Sequence, residues 1–160
     1  MDTALLVEEH GPRVWALCRR LDPHPDDAYQ EVWAKVLAAG FDPTGPASFR
    51  TWVTTVTHRH LVDRHRRRLT RERLLSHDDI HDEAFAAGDT STDTSQSSIA
   101  TSQQLEAAVA ALPEAHRRVV VMHHVEEVPL DEIATIEGVP LGTVKSRLHR
   151  ARAALARSLT

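Results

Sequence analysis

The chain is short of cysteine, aromatic residues, glycine and long apolar runs, and each shortage removes a class of protein. Its one cysteine, Cys18, cannot form an internal disulfide, so packing must hold the fold and a cytoplasmic location is expected. Aromatics make up 4% of 160 residues, too few for one large core and better suited to small helical units. Six glycines and no alternating β-branched pattern argue against sheets. No apolar stretch reaches the roughly 18 residues a membrane span needs, and the opening residues lack a basic-then-apolar secretion signal. Nor is there a glycine-rich phosphate loop, a nucleophile elbow, a His-Glu-x-x-His motif or a cysteine pair. An enzyme, a cofactor and a bound metal are therefore not expected.

What the chain does have is segregated charge. The net charge of −4 hides a stretch from His58 to Arg73 with seven arginines against two acids, and another from Leu141 to Thr160 with five Lys/Arg and no acid. Between them, Ser76 to Ile99 carries six acids and no Lys or Arg. Two cationic segments in an acidic protein point to a polyanionic partner held at two places, which the total charge conceals.

The second cationic segment is the more informative. Leu141, Val144, Leu148, Ala151, Leu155 and Leu159 recur every three or four residues and form one helical stripe. Thr143, Ser146, Arg147 and Arg150 fall opposite, with Lys145, His149 and Arg152 on the flanks. Just upstream, residues 129–137 read as a short amphipathic helix with Asp131 and Glu132 in its first turn, where the helix dipole favours acids. Gly138 then supplies a residue free to take positive φ. Ala134 is small where two helices cross, and Val144 points back into their angle. This is the spacing of a DNA-reading helix-turn-helix.

Elsewhere the pattern predicts an all-α protein of two small helical domains. Helices are expected over 3–21, from Asp26 or Asp27 to about Ala39, and from Phe49, capped by Ser48, to Leu75. Residues 40–47 are turn formers. Residues 76–103 have the composition of a flexible acidic linker, with a random-coil span of roughly 30 Å. Further helices are expected near 103–112, 113–125, 130–137 and 141–159. The division is thus 1–75, 76–103 and 104–160. No large domain follows Thr160 in this sequence, so control through a C-terminal extension is not expected.

Two motif sets now stand on one chain: Asp27-Ala28-Tyr29-Gln30-Glu31-Val32-Trp33, Phe49-Arg50-Thr51-Trp52 and Asp63-Arg64-His65-Arg66-Arg67-Arg68, then Leu112-Pro113-Glu114 and the helix-turn-helix through Arg152. The ordered set resembles a bacterial sigma factor of the extracytoplasmic function (ECF) group, which keeps only regions 2 and 4 of the larger sigma factors. The resemblance implies that the chain binds core RNA polymerase, on the β′ coiled coil and the β subunit, and directs it to promoter DNA for transcription initiation. It implies polymerase docking by Asp27, Gln30, Glu31, Val32 and Trp33, with one of the two large apolar residues facing inward. It implies capture of the melted −10 element by His58, Arg59, Arg64, Arg66, Arg67 and Arg68, beside the loop at residues 42–48, with Phe49 and Trp52 packed in the core. It implies reading of the −35 element by Thr143, Lys145, Ser146, Arg147, His149 and Arg150. An anti-sigma factor is an implied further partner.

The chain departs from the family pattern at Arg59, which takes the position of a base-selecting Asn, and at Thr55 and Val56, where primary sigma factors carry melting tryptophans. The histidines His58, His60 and His65, and the pair His123 and His124, diverge on a helix and do not read as metal ligands; His58, His60 and His65 join the basic face instead. The competing reading is a helix-turn-helix activator or repressor that acts without being a polymerase subunit. It accounts for 104–160 but leaves the docking helix and the first basic helix without a role.

Overall fold

The computed structural model describes residues 2–75 and 102–160, and among these every regular element is helical. The proposed acidic linker lies outside the described residues, apart from its last two positions, which open a helix.

Three helices make the first layer: α1 (Thr3–Leu21), α2 (Pro25–Ala39) and α3 (Phe49–Leu75). Asp2 caps α1 by accepting the Ala4 N–H at 3.0 Å, and Ser48 caps α3 by accepting the Thr51 N–H at 3.2 Å. The second helix starts earlier than the expected Asp26 or Asp27. Pro25 takes its first position, where a missing N–H costs nothing, and His24 makes no side-chain cap. Asp26 and Asp27 instead occupy the first turn. The three helices enclose Val14, Leu17, Cys18 and Leu21 of α1, Ala28, Val32, Trp33 and Val36 of α2, and Val53 and Leu61 of α3. Burying each aliphatic side chain contributes about 1.5–3 kcal/mol. Gly11 lets α1 and α2 approach closely, since a Cβ there would lie 2.9 Å from the Tyr29 hydroxyl.

The second set is α4 (Ser102–Ala111), α5 (Glu114–Val120), α6 (Leu130–Glu137) and α7 (Leu141–Leu159). The single helix expected over 113–125 does not run through. After Val120 it widens into a π-helical segment, Val121–Val125, where the Glu126 N–H reaches back to the Val121 carbonyl at 3.0 Å. The extra residue in the turn rotates neighbouring side chains apart. Val121 joins the first core, while Met122 joins the second with Leu112, Val119, Ile133, Ile136, Val144, Leu148 and Ala151. In return, Val62 of α3 belongs to the second core. The two helical sets therefore interlock, each lending the other one valine.

Between α6 and α7, Gly138 adopts φ +65°, and the Val139 N–H closes onto the Ala134 carbonyl at 3.1 Å. The helix-turn-helix geometry is thus present. Its apolar stripe is shorter than expected: Val144, Leu148 and Ala151 are buried, but Leu141 is 40% exposed. Leu141 is the first residue of α7 and projects beyond the core it would need to reach.

Candidate nucleic-acid interface

The C-terminal half of α3 and the outer face of α7 carry the two cationic surfaces. On α3, Arg59 and Arg67 are exposed, and so are Arg71 and Arg73 one turn further on. Arg64, Arg66 and Arg68 are not free in the same sense, because each is engaged by an acceptor of the chain itself.

Asp22 is the centre of that engagement. It ends α1, and its buried carboxylate accepts the His24 N–H at 2.9 Å, Arg64 Nε at 2.9 Å, Arg64 Nη2 at 3.3 Å and Arg68 Nη1 at 3.0 Å. Burial works to raise the Asp22 carboxyl, but Arg64, the His24 N–H and Arg68 outweigh it and hold it below the usual carboxylate range. Arg64 also reaches Glu31 on α2 at 2.8 Å, and His60 Nε2 meets the same carboxylate at 2.9 Å. Desolvation opposes ionisation of Glu31 too, and again Arg64 and His60 win and lower it. Arg68 bridges onward to Glu114 at the start of α5, where His65 Nδ1 lies 2.8 Å from the same carboxylate. Arg66 donates to the backbone carbonyl of Glu137.

His58, expected on the DNA face, is instead fully buried, and neither ring nitrogen has a hydrogen-bond partner among the described residues. Burial, with Arg118 and Arg13 nearby, pushes its pKa down to about 3, so it is a neutral core residue. Its position on the inward side of α3, between Thr57 and Leu61, places it there.

On α7 the exposed line is Gly142, Lys145, His149 and Arg152, while Thr143, Ser146, Arg147 and Arg150 are half-buried on its sides. The face most open to a partner is therefore rotated from the one the sequence spacing predicts. Arg147 explains part of this. It leans toward Glu137 at 3.4 Å, and desolvation lowers its pKa despite that carboxylate. Glu137 is itself 3% exposed and is gripped by Arg118 through two bonds, at 2.8 and 3.0 Å. This Arg118–Glu137–Arg147 chain ties α5, α6 and α7 together. Arg152 contacts His124 at 3.3 Å.

On α2, where polymerase docking is expected, Asp27, Gln30 and Glu31 are exposed. Val32 and Trp33 are both buried, at 0% and 6% exposure, so neither offers the outward apolar contact that was expected of one of them. They sit three and four residues after Tyr29 on the core side of the helix, where α1 and α3 cover them.

The loop before α3 is ordered by Asp42, which accepts the Thr44 N–H at 2.9 Å and the Thr44 hydroxyl at 2.6 Å. Beside it Phe41, Phe49 and Trp52 form a ring cluster with centroids 5.2–5.6 Å apart. Phe49 and Trp52 pack against the first core, as their spacing predicts.

The acids Asp22, Glu114, Glu126 and Glu137 escaped the sequence reading. Their partners lie 42, 46, 113 and 19 positions away, and no local pattern marks such pairs. Glu137 carries the one available hint, an acid ending a short apolar helix just before its turn glycine.

Comparison with known proteins bears directly on these two surfaces. The family described as Sigma-70 region 2 matches residues 6–71, and Sigma-70, region 4 matches residues 102–155. The chain is 32% identical over 92% of its length to the ECF RNA polymerase sigma factor SigE of Mycolicibacterium smegmatis, spanning 57% of that protein. It is 27% identical to SigW of Bacillus subtilis over 96% of this chain and 87% of the relative. It is 30% identical to the ECF RNA polymerase sigma-E factor of Escherichia coli over 94% of this chain and 83% of the relative. The chain belongs to the ECF RNA polymerase sigma factors.

Two solved structures share the sigma-factor fold. One is RpoE of Bartonella quintana in complex with the anti-sigma factor NepR, with TM-score 0.57, 22% identity, and coverage of 92% of this chain and 90% of that one. The other is CnrH in complex with the cytosolic domain of CnrY, with TM-score 0.52, 20% identity, and coverage of 97% and 85%. In this sigma factor α1–α3 fall almost wholly in the region 2 match and α4–α7 in the region 4 match. The Arg66–Glu137 and Arg68–Glu114 contacts, and an ion pair between Arg13 and Glu126, each join the one region to the other.

Proposed function

We propose that this sigma factor is the promoter-recognition subunit of an RNA polymerase, with residues 1–75 and 104–160 as separate gripping modules and 76–103 as their tether. The observation that carries the reading is the presence, in order on one chain, of both sigma regions, each ending in a helix with exposed cations. Asp27, Gln30 and Glu31 dock on core polymerase by charge and hydrogen bonding. Without an outward Val32 or Trp33, affinity there rests on polar complementarity and on additional contacts to the enzyme. Arg59 and Arg67, with Arg64, Arg66 and Arg68 once released, hold the single-stranded −10 element. Lys145 and His149 lead the −35 contacts, flanked by Thr143, Ser146, Arg147 and Arg150.

The proposed partners are core polymerase, promoter DNA and an anti-sigma factor, the class of partner bound to the Bartonella quintana structural neighbour, and the proposed location is the cytoplasm. No helix among the described residues is long and apolar enough to cross a membrane. A free-standing helix-turn-helix regulator would use only the region 4 segment and leave region 2 without a role.

Charge reversal tests the docking assignment. Replacing Gln30 and Glu31 with Lys should reduce core-polymerase binding at least ten-fold in a gel-filtration or pull-down assay. Unchanged binding would remove α2 from the interface.

A further inference from the structure

The basic half of α3 carries one hydroxyl that the function proposed above leaves idle. Thr70 is exposed, and its Oγ1 donates to the Arg66 carbonyl at 3.0 Å, the usual resting place of a helical threonine. Its sequence surroundings are less usual. Arg66, Arg67, Arg68 and Leu69 precede it, and Arg71 and Arg73 follow. Among all the serines and threonines of the chain, only Thr70 has arginine both two and three residues before it. Protein kinases choose substrates by charge pattern, and an acid-lined peptide groove pairs with guanidinium forks at such a spacing.

The fold leaves this hydroxyl open to an enzyme. Residues 69–75 are all exposed, Leu74 and Leu75 at 78% each. The last turns of α3 therefore have no buried side chain to anchor them, and a helix end of that kind opens at little cost. An extended segment around Thr70, as a kinase groove requires, is within reach. Thr54 and Thr57 on the same helix are buried and lack that freedom. Residues three and four apart share a helix face, so Thr70 stands with Arg66, Arg67 and Arg73. A phosphate there brings about −1.5 to −2 charges and three acceptor oxygens into that group. It competes with a DNA strand for the same guanidinium donors, and it does so from a fixed covalent position.

We propose that Thr70 is the phosphate acceptor for an arginine-directed protein kinase, and that its phosphate weakens strand binding by α3. Thr70 Oγ1 attacks the γ-phosphorus of ATP. The new O–P bond forms as the bond from that phosphorus to the β–γ bridging oxygen breaks, ADP leaves, and the hydroxyl proton passes to the catalytic carboxylate of the kinase. The acceptor assignment stands apart from the sigma role, while its consequence for DNA rests on the −10 contacts proposed above.

The test incubates full-length wild type, Thr70→Ala and Ser76→Ala with Mg-ATP and a purified kinase selective for Arg-Arg-x-Ser/Thr, and peptide mass spectrometry locates the phosphate. Ser76 is the control because Arg73 lies three residues before it, without a second arginine beside it. Wild type and Ser76→Ala should take up about one phosphate, at Thr70, and Thr70→Ala should lose most of the uptake. Anisotropy of a labelled 20-nucleotide single strand then reads the consequence at low salt. Phosphorylated protein should bind at least five-fold more weakly than unmodified protein. Its salt slope should be shallower by roughly 1.4, as expected for two cations neutralised on a single strand. Thr70→Glu should weaken binding in the same direction, whereas neutral Thr70→Gln should not, and both should keep the wild-type urea midpoint because the site is exposed. No incorporation, incorporation that survives Thr70→Ala, an unmodified chain with no affinity for the strand, or a phosphorylated chain that binds it as before overturns the proposal. Core-polymerase binding, measured on the same unmodified protein, separates the two ideas. Protein that ignores polymerase yet is phosphorylated at Thr70 sinks the sigma role alone, and polymerase-binding protein that takes no phosphate at Thr70 sinks the acceptor assignment alone.

Discussion

Arg66 of α3 donates a hydrogen bond to the backbone carbonyl of Glu137, and its guanidinium fills the space that any side chain at Gly138 would need. One arginine of the candidate −10 face therefore rests against the turn that orients the candidate −35 reader. The same turn depends on Gly138 for its positive φ.

Gly138→Ala should destabilise the protein by about 1–2 kcal/mol, because it adds left-handed strain to a collision with Arg66. Thermal unfolding reads the loss. In Arg66→Ala/Gly138→Ala the two effects should be less than additive, since the first change removes the obstacle the second one meets. Full additivity would mean Arg66 does not press on the turn.

Asp22→Asn removes the charge that two arginines share while leaving its shape. Since the carboxylate is buried and the arginines largely covered, the cost should be about 3 kcal/mol, read as a fall in the urea midpoint with unchanged slope. A change under about 0.5 kcal/mol would make the cluster merely superficial.

His58 makes stability fall with acid. It remains neutral in the fold, with pKa about 3 against an ordinary 6.5, so the unfolded chain takes up a proton that the native state refuses. Its contribution is complete above pH 6.5 and drains away as pH falls toward 3, at ~1.4 kcal/mol per pH unit. His60 shifts the same way, through desolvation first and Lys35 second. Asp22, Glu31 and Glu114 add a further loss only below their ordinary values of 3.8 and 4.5. Urea unfolding at pH 7, 6 and 5 should show the decline, and His58→Leu should flatten it and raise stability at pH 5. An equally steep decline in that variant would assign the proton uptake elsewhere.

Lys145→Ala should separate recognition from folding. Lys145 is exposed on the open line of α7, so stability should change by less than about 0.5 kcal/mol, while −35 duplex binding weakens and its salt slope drops by about one. Arg147→Ala should instead cost stability as well, because it leaves Glu137 with a single partner. Identical effects from the two changes would contradict the rotated face.

The helices were legible in the sequence because caps, breakers and apolar spacing are local. Ser48 and Gly138 fell where they were expected, and α1, α3, α6 and α7 match the predicted bounds. The π-helical turn at Val121–Val125 was not legible, because its cause is tertiary: Val121 and Met122 are pulled toward different cores. The site was half legible. Charge type and helix were readable at Arg59, Arg67, Lys145 and His149. Which side chains are exposed was not, as His58 and Trp33 show, because three-residue spacing fixes a face only to within about a third of a turn. The paired acids were invisible, since a pair such as Arg13 and Glu126 is assembled by the fold alone.

The most direct measurement is run-off transcription by core RNA polymerase, stripped of its own sigma subunit, on genomic fragments with this protein added. The account predicts discrete transcripts whose start sites share sequence about 10 and 35 positions upstream, with loss of that selectivity in Lys145→Ala. No protein-dependent transcript, with no association between the chain and core polymerase at low salt, would contradict it.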